Sequence, residues 1–126
     1  MNPIVEALLE FNDAFDISKL ETPGIGSDEL FELRIRLLHE EVEEYAAAVR
    51  MGDLVEVLDA LGDIAYILAG TIINHGLQQV FDAVFSEIHR SNMAKLVDGK
   101  VLRRKDGKVM KPEGWSAPDL EQFLNL

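Results

Sequence analysis

The residues best able to do chemistry are carboxylates at helical spacing. Residues 40–44 read EEVEE, and Glu56, Asp59 and Asp63 follow on the next apolar segment. At 100° per residue, Glu40, Glu41 and Glu44 fall within an arc of about 100°, and Glu56, Asp59 and Asp63 within roughly 60°. Two neighbouring helices would then each carry an acidic stripe. For EEVEE alone, a solvated acidic face is an adequate reading. The second group resists it, because Asp59 and Asp63 lie in VLDALGDIAYILAGTII, where apolar residues occupy most directions around the axis. Such a helix is expected to be buried, and buried aspartates are rare unless paired or metal-bound. Like charges four residues apart are destabilising even on an exposed helix, and no lysine or arginine on this segment neutralises them.

A hard divalent cation resolves the conflict: an oxygen-only donor set suits Mg²⁺, with Mn²⁺ as a substitute. Glu56 has a competing role as the third residue of a capping box begun by Asp53. The chain has no cysteine, which excludes thiolate zinc, disulfides and cysteine nucleophiles. The residues three before His39, His75 and His89 are Arg36, Ile72 and Ser86, so the Glu-x-x-His pairs of di-iron bundles are missing.

Helix signals place these groups. Asn2 with Pro3 starts a first helix running to about Phe15. Pro23, Gly24 and Gly26 mark a linker, whose GxG follows no strand and is not read as a phosphate loop. Ser27 caps a second helix, with Asp28 and Glu29 at the positive end of its dipole, and Gly52 stops it after Met51. Asp53 caps a third helix ending near His75. The very short connection predicts an antiparallel hairpin. A fourth helix is expected from Leu77 to Asn92, with Phe81, Val84, Phe85 and Ile88 as its buried stripe. Beyond it, Asp98-Gly99 and Asp106-Gly107 predict turns or a small hairpin, followed by an extended stretch and a short helix from Asp119. The expected fold is all-α: an antiparallel four-helix bundle forming a single domain over 1–126, with a helical core to residue 92 and a basic, turn-rich tail over 93–126.

Composition narrows the function classes. Twelve Lys and Arg against 23 Asp and Glu give a formal charge of −11, the opposite of a nucleic-acid-binding footprint. Residues 1–89 hold 4 basic and 18 acidic side chains, residues 90–126 hold 8 and 5. Val57–Ile73, the longest weakly charged stretch, is too short and too acidic to span a bilayer. The N-terminus lacks a basic n-region, so a cytoplasmic location is expected. Asn92 and Lys95 continue the phase of the fourth helix's stripe, where an amide and an ammonium could meet phosphate or sugar; a helix cap with a surface lysine is the plainer alternative. Tyr66 reads as core.

On these residues the sequence resembles the all-α nucleoside triphosphate pyrophosphohydrolases. That superfamily includes MazG, the dimeric dUTPases and phosphoribosyl-ATP pyrophosphohydrolase, and its signature is ExxE on one helix and ExxD on the next. Glu41–Glu44 matches the first element and Glu56–Asp59 the second. ALGDIAY also resembles an ELGDLLF-type run, which would put the signature aspartate at Asp63 and leave Ala60 where a glutamate is expected. HRSNMAKL and the DGK…KDGKVMKPEGW…PDL tail resemble the MazG-like branch that is related to dUTP-cleaving enzymes and stands near the phosphoribosyl-ATP group.

The resemblance implies hydrolysis of a (deoxy)nucleoside triphosphate, such as dUTP or another pyrimidine nucleotide, to monophosphate and pyrophosphate. It implies Mg²⁺ held by Glu41, Glu44, Glu56, Asp59 and Asp63, with Glu40 beside them as base or water-orienting group, and a homodimer or homotetramer. Phe11, Asn12 and Phe15 become candidates for the base pocket, against the plainer reading of a core stripe. Asn92, Lys95 and Lys111 become candidates for substrate binding; Lys100, Arg103, Arg104, Lys105 and Lys108 could help hold a triphosphate, against the plainer reading of solvated surface cations. Trp115 could pack on a neighbouring subunit or on the nucleotide. Phosphoribosyl-ATP is the alternative substrate, and a non-catalytic acidic assembly module the alternative class.

Overall fold

A computed structural model describes residues 2–124. Among them are four α-helices and no strand: α1 (Pro3–Ala14), α2 (Asp28–Met51), α3 (Leu54–Asn74) and α4 (Phe81–Met93), with a single 3₁₀ turn at Glu121–Phe123. The chain is all-α, with the helices a four-helix bundle requires. It forms two compact units, Met1–Gln79 and Val80–Leu126. No helix among the described residues is long and apolar enough to cross a membrane.

Local chemistry sets the helix ends. Asn2 Oδ1 accepts the Val5 N–H at 3.0 Å ahead of Pro3, Ser27 Oγ accepts from Leu30 at 3.2 Å, and Asp53 Oδ1 accepts from Glu56 at 3.2 Å. Gly52 closes α2 in the left-handed conformation, φ 69°, and the Asp53 N–H donates back to Ala48 O at 3.1 Å. The connection is thus two residues long, and α2 and α3 lie antiparallel along each other while α1 packs on α3. Val5, Leu8, Ala48, Ala60, Ala69, Ile72 and Ile73 are buried at these contacts.

Helix α3 departs from the expectation of burial on all sides. Leu54, Leu58 and Leu61 are 72%, 66% and 47% exposed. Within its unit α3 packs on α1 and α2, and two neighbours cover only part of a helix. Tyr66, read as core, is exposed for the same reason.

The 16–26 linker straps the C-terminal end of α3. Gly24 N–H donates to His75 O at 2.9 Å, His75 Nδ1 donates to Gly24 O at 3.0 Å, and Gln78 Nε2 donates to Leu20 O at 3.4 Å. Gly76 has φ 69°, and a Cβ there would stand 2.3 Å from Thr22 O, so glycine is required twice over. These contacts explain why the fourth helix starts at Phe81 instead of Leu77. Leu77 N–H caps α3 through Ile72 O at 3.0 Å, and Gln78 is held by the strap.

In the second unit the α4 stripe is narrower than expected: Phe81, Val84 and Ile88 are half-buried, whereas Phe85 is 62% exposed. Isolated antiparallel bridges pair Val97 with Lys100 and Arg103 with Val109. Trp115 fastens the tail to α4: its Nε1 donates to Ser91 O at 2.7 Å, and Ser91 Oγ donates to Ser116 O at 3.1 Å.

Candidate functional site

The α2–α3 hairpin brings Glu41, Glu44 and Asp63 together. One carboxylate oxygen from each lies within 4.8 Å of the others; Glu41 and Asp63 are half-buried and Glu44 is exposed. Glu41 Oε2 is buried with no hydrogen-bond partner among the described residues. Burial pushes the Glu41 carboxyl above the ordinary carboxylate range. A hydrogen bond with Glu44, available when Glu41 carries a proton, and the charges of Glu44, Asp63 and Asp59 push it the same way. A carboxylate set that destabilises its own ionised form, with a buried oxygen lacking a donor, fits a cation better than solvent or a protein partner.

Beside it lies a cleft of about 220 Å³ lined by Glu44, Asp53, Glu56, Asp59, Ala60 and neighbouring α2 residues. Glu44 belongs to both groups. Glu56 faces this cleft because the capping box is only half made: the Asp53 N–H is already given to Ala48 O, so the Glu56 carboxylate has no backbone donor to satisfy. Glu40 is exposed on α2 and stands outside the three-carboxylate cluster.

A second cavity, about 160 Å³, opens between α1, α2 and α3, with Asn12, Phe11, Arg34, Tyr66, Gly70 and Asn74 among its lining residues. Asn12 is buried there. Phe15 is 66% exposed, stacks on Phe11 at 4.4 Å and does not line the cavity. Arg34 and Asn74 are functional candidates that sequence reasoning missed. Arg34 sits seven residues before Glu41, on the same α2 face by helical phase, and Asn74 is a polar residue ending an apolar run; those two signals could have found them.

In the second unit, Asn92 Oδ1 accepts from Lys95 Nζ at 2.8 Å. The Lys95 and Lys111 ammonium groups lie 5.5 and 5.0 Å from the centre of the Trp115 ring, within cation–π range. Asn92, Lys95 and Lys111 therefore gather around Trp115, whereas Lys100, Arg103, Lys105 and Lys108 are exposed on the turns. Arg104 pairs with Asp106.

A search of curated protein sequences returns no match to the chain. A family model for phosphoribosyl-ATP pyrophosphohydrolase matches residues 8–92, which run from within α1 through α2 and α3 to near the end of α4 and include all the clustered carboxylates. On that match and this all-helical acidic site, the chain belongs to the phosphoribosyl-ATP pyrophosphohydrolase family of hydrolases acting on phosphoric anhydride bonds.

Proposed function

We propose that the chain cleaves a (deoxy)nucleoside triphosphate between the α and β phosphates, giving the monophosphate and pyrophosphate, with a pyrimidine deoxynucleotide such as dUTP as substrate. The convergence of Glu41, Glu44 and Asp63 within 4.8 Å carries this reading. These three, with Asp59 and Glu56 along the adjoining cleft, are the residues that would hold Mg²⁺. When bound, the ion supplies positive charge against the phosphates and acidifies nearby water. The protein's own task is to position the anhydride and exclude alternative geometries, since phosphoryl chemistry needs alignment and charge neutralisation more than covalent help. Glu40, next to the ligand set on α2, is assigned the proton from the attacking water. Asn92, Lys95 and Lys111 are assigned phosphate and sugar contacts.

The exposed leucines of α3 support a homo-oligomer, since an apolar face of this kind marks an interaction surface. In this reading residues 1–126 act as one domain. Phosphoribosyl-ATP is the alternative substrate, favoured by the family to which the chain belongs.

The test is a panel of dUTP, dCTP, dTTP, dATP, dGTP and phosphoribosyl-ATP with Mg²⁺, with product identified as pyrophosphate or orthophosphate. A pyrimidine triphosphate is expected to turn over fastest and release pyrophosphate. Asp63→Asn should lose activity at least 100-fold, more than outer partners of metal ligands typically cost, with its helical circular dichroism intact. Orthophosphate release, or an active Asp63→Asn variant, removes the reading.

A further inference from the structure

The 160 Å³ cavity contains three polar groups whose hydrogen-bonding capacity the protein leaves unfilled. Arg34 uses Nε on Thr71 Oγ1 at 3.1 Å and Nη2 on Ile67 O at 2.9 Å. An arginine has five N–H donors, so the remainder are free, and no carboxylate pairs with this guanidinium among the described residues. In a chain with 23 acidic residues, a half-buried arginine without a counter-ion is unexpected. Gly70 makes room for it: a Cβ there would stand 2.6 Å from Arg34 Nη2. Asn74 is 3% exposed, and its Oδ1 is buried with no hydrogen-bond partner among the described residues. Asn12 is 5% exposed, and its side chain makes no hydrogen bond among the described residues. Phe11 and Tyr66 meet edge to face at 5.6 Å along the same wall.

Unfilled donors on Arg34 and an unfilled acceptor on Asn74 call for a ligand with an acceptor beside a donor. Uracil offers this with a carbonyl oxygen next to its ring N–H, and cytosine with its ring nitrogen next to the amino group. Size selects among the bases. A protein cavity of about 150 Å³ takes up benzene, so 160 Å³ suits one six-membered ring, not a fused purine. Position agrees: Arg34 and Gly70 each lie seven residues from Glu41 and Asp63 along the paired helices, about 10 Å at 1.5 Å per residue. A nucleotide's sugar and first phosphate bridge that span.

We propose that Arg34 and Asn74 are specificity-determining residues that read the base, a pyrimidine, in the pocket where the family resemblance already places Phe11 and Asn12. The inference rests on the nucleotide reading above, and the test separates the two. Metal-free protein is titrated with deoxyuridine, thymidine, deoxycytidine, deoxyadenosine and deoxyguanosine while the side-chain amide signals of Asn12 and Asn74 are followed by ¹⁵N NMR. Pyrimidine nucleosides should shift both amides saturably and purines should not.

Asn74→Leu should weaken pyrimidine binding at least tenfold and raise KM for the pyrimidine triphosphate by a similar factor, while its melting temperature holds or rises because an unpaired buried amide is gone. Arg34→Lys, which keeps the charge and loses the fork, should also weaken binding at least tenfold, and decides the matter if Asn74→Leu does not fold. Equal purine binding, an absence of binding, or wild-type affinity in the folded variants overturns the assignment. Triphosphate hydrolysis indifferent to the base would overturn it and leave the enzymatic reading standing. Pyrimidine binding without hydrolysis of any triphosphate would do the reverse.

Discussion

Replacing Glu41 by glutamine should stabilise the metal-free protein and destroy its response to metal. Glu41 lies no more than 4.8 Å from carboxylate oxygens of both Glu44 and Asp63. At that distance each like-charge pair costs about 0.9 kcal/mol in bulk water and about 3.5 kcal/mol at an effective dielectric constant of 20. A half-buried site lies between these limits, and solvent at the exposed Glu44 screens some of the repulsion. Removing the charge should therefore gain about 1–2 kcal/mol, on the order of 3–10 °C in melting temperature for a chain of this size. With Mg²⁺ at a hundredfold excess over Kd, the wild type gains about 2.7 kcal/mol by mass action, and the variant, lacking a ligand, gains far less. The order of stability should thus invert between EDTA and Mg²⁺. Calorimetry at one protein concentration reads both conditions. A glutamine variant that melts below wild type in EDTA, or gains equally from Mg²⁺, would refute the repelling-cluster account.

Two further perturbations test neighbouring features. Gly70→Ala gains about 1 kcal/mol of helix propensity, but its Cβ, 2.6 Å from Arg34 Nη2, breaks a charged hydrogen bond to Ile67 O worth about 1.5–3 kcal/mol; urea denaturation should show a net loss of about 1 kcal/mol, and a stabilised variant would show that the guanidinium is not held there. Glu87 is held at about 2, below its usual 4.5, by the Arg90 side chain and the Asp119 N–H. A depressed carboxylate stabilises fully above its unfolded value and loses that contribution as pH falls through the folded one, so the fluorescence of Trp115, which sits on the same α4–tail contact, should change between about pH 4.5 and 2, and Glu87→Gln should remove that transition.

What was legible in the sequence follows from the range of the interactions involved. Ser27, Gly52 and Asp53 act within one turn of their own backbone, so the ends of α2 and the start of α3 could be read directly. The start of α4 could not, because Leu77 and Gln78 are claimed by Ile72 O and Leu20 O, and the second of these partners is 58 residues away. Helical phase likewise showed that each carboxylate group shares a face. Which members converge depends on the register of α2 against α3, a tertiary quantity. Arg34 and Asn74 were passed over because a single polar residue in an apolar run acquires meaning only when a third helix closes a cavity around it.

The register also accounts for Ala60. Two connecting residues fix α3 against α2 so that Glu41 meets Asp63, and Glu44 borders the cleft that Ala60 lines. An ELGD-type run would place a carboxylate at position 60, against Glu44. Here the position holds a buried methyl group, and the space left beside it is rimmed by Glu56 and Asp59, one turn and one residue toward the N-terminus. Two neighbouring motifs, ExxD at 56–59 and GD at 62–63, thus lie along one patch of α3. Asp63 closes the cluster with Glu41, while Glu56 and Asp59 carry the negative wall onward past Ala60. The choice between Asp59 and Asp63 is one of position along a single seam: Asp63 makes the close approach, and Asp59 acts on Glu41 through its field.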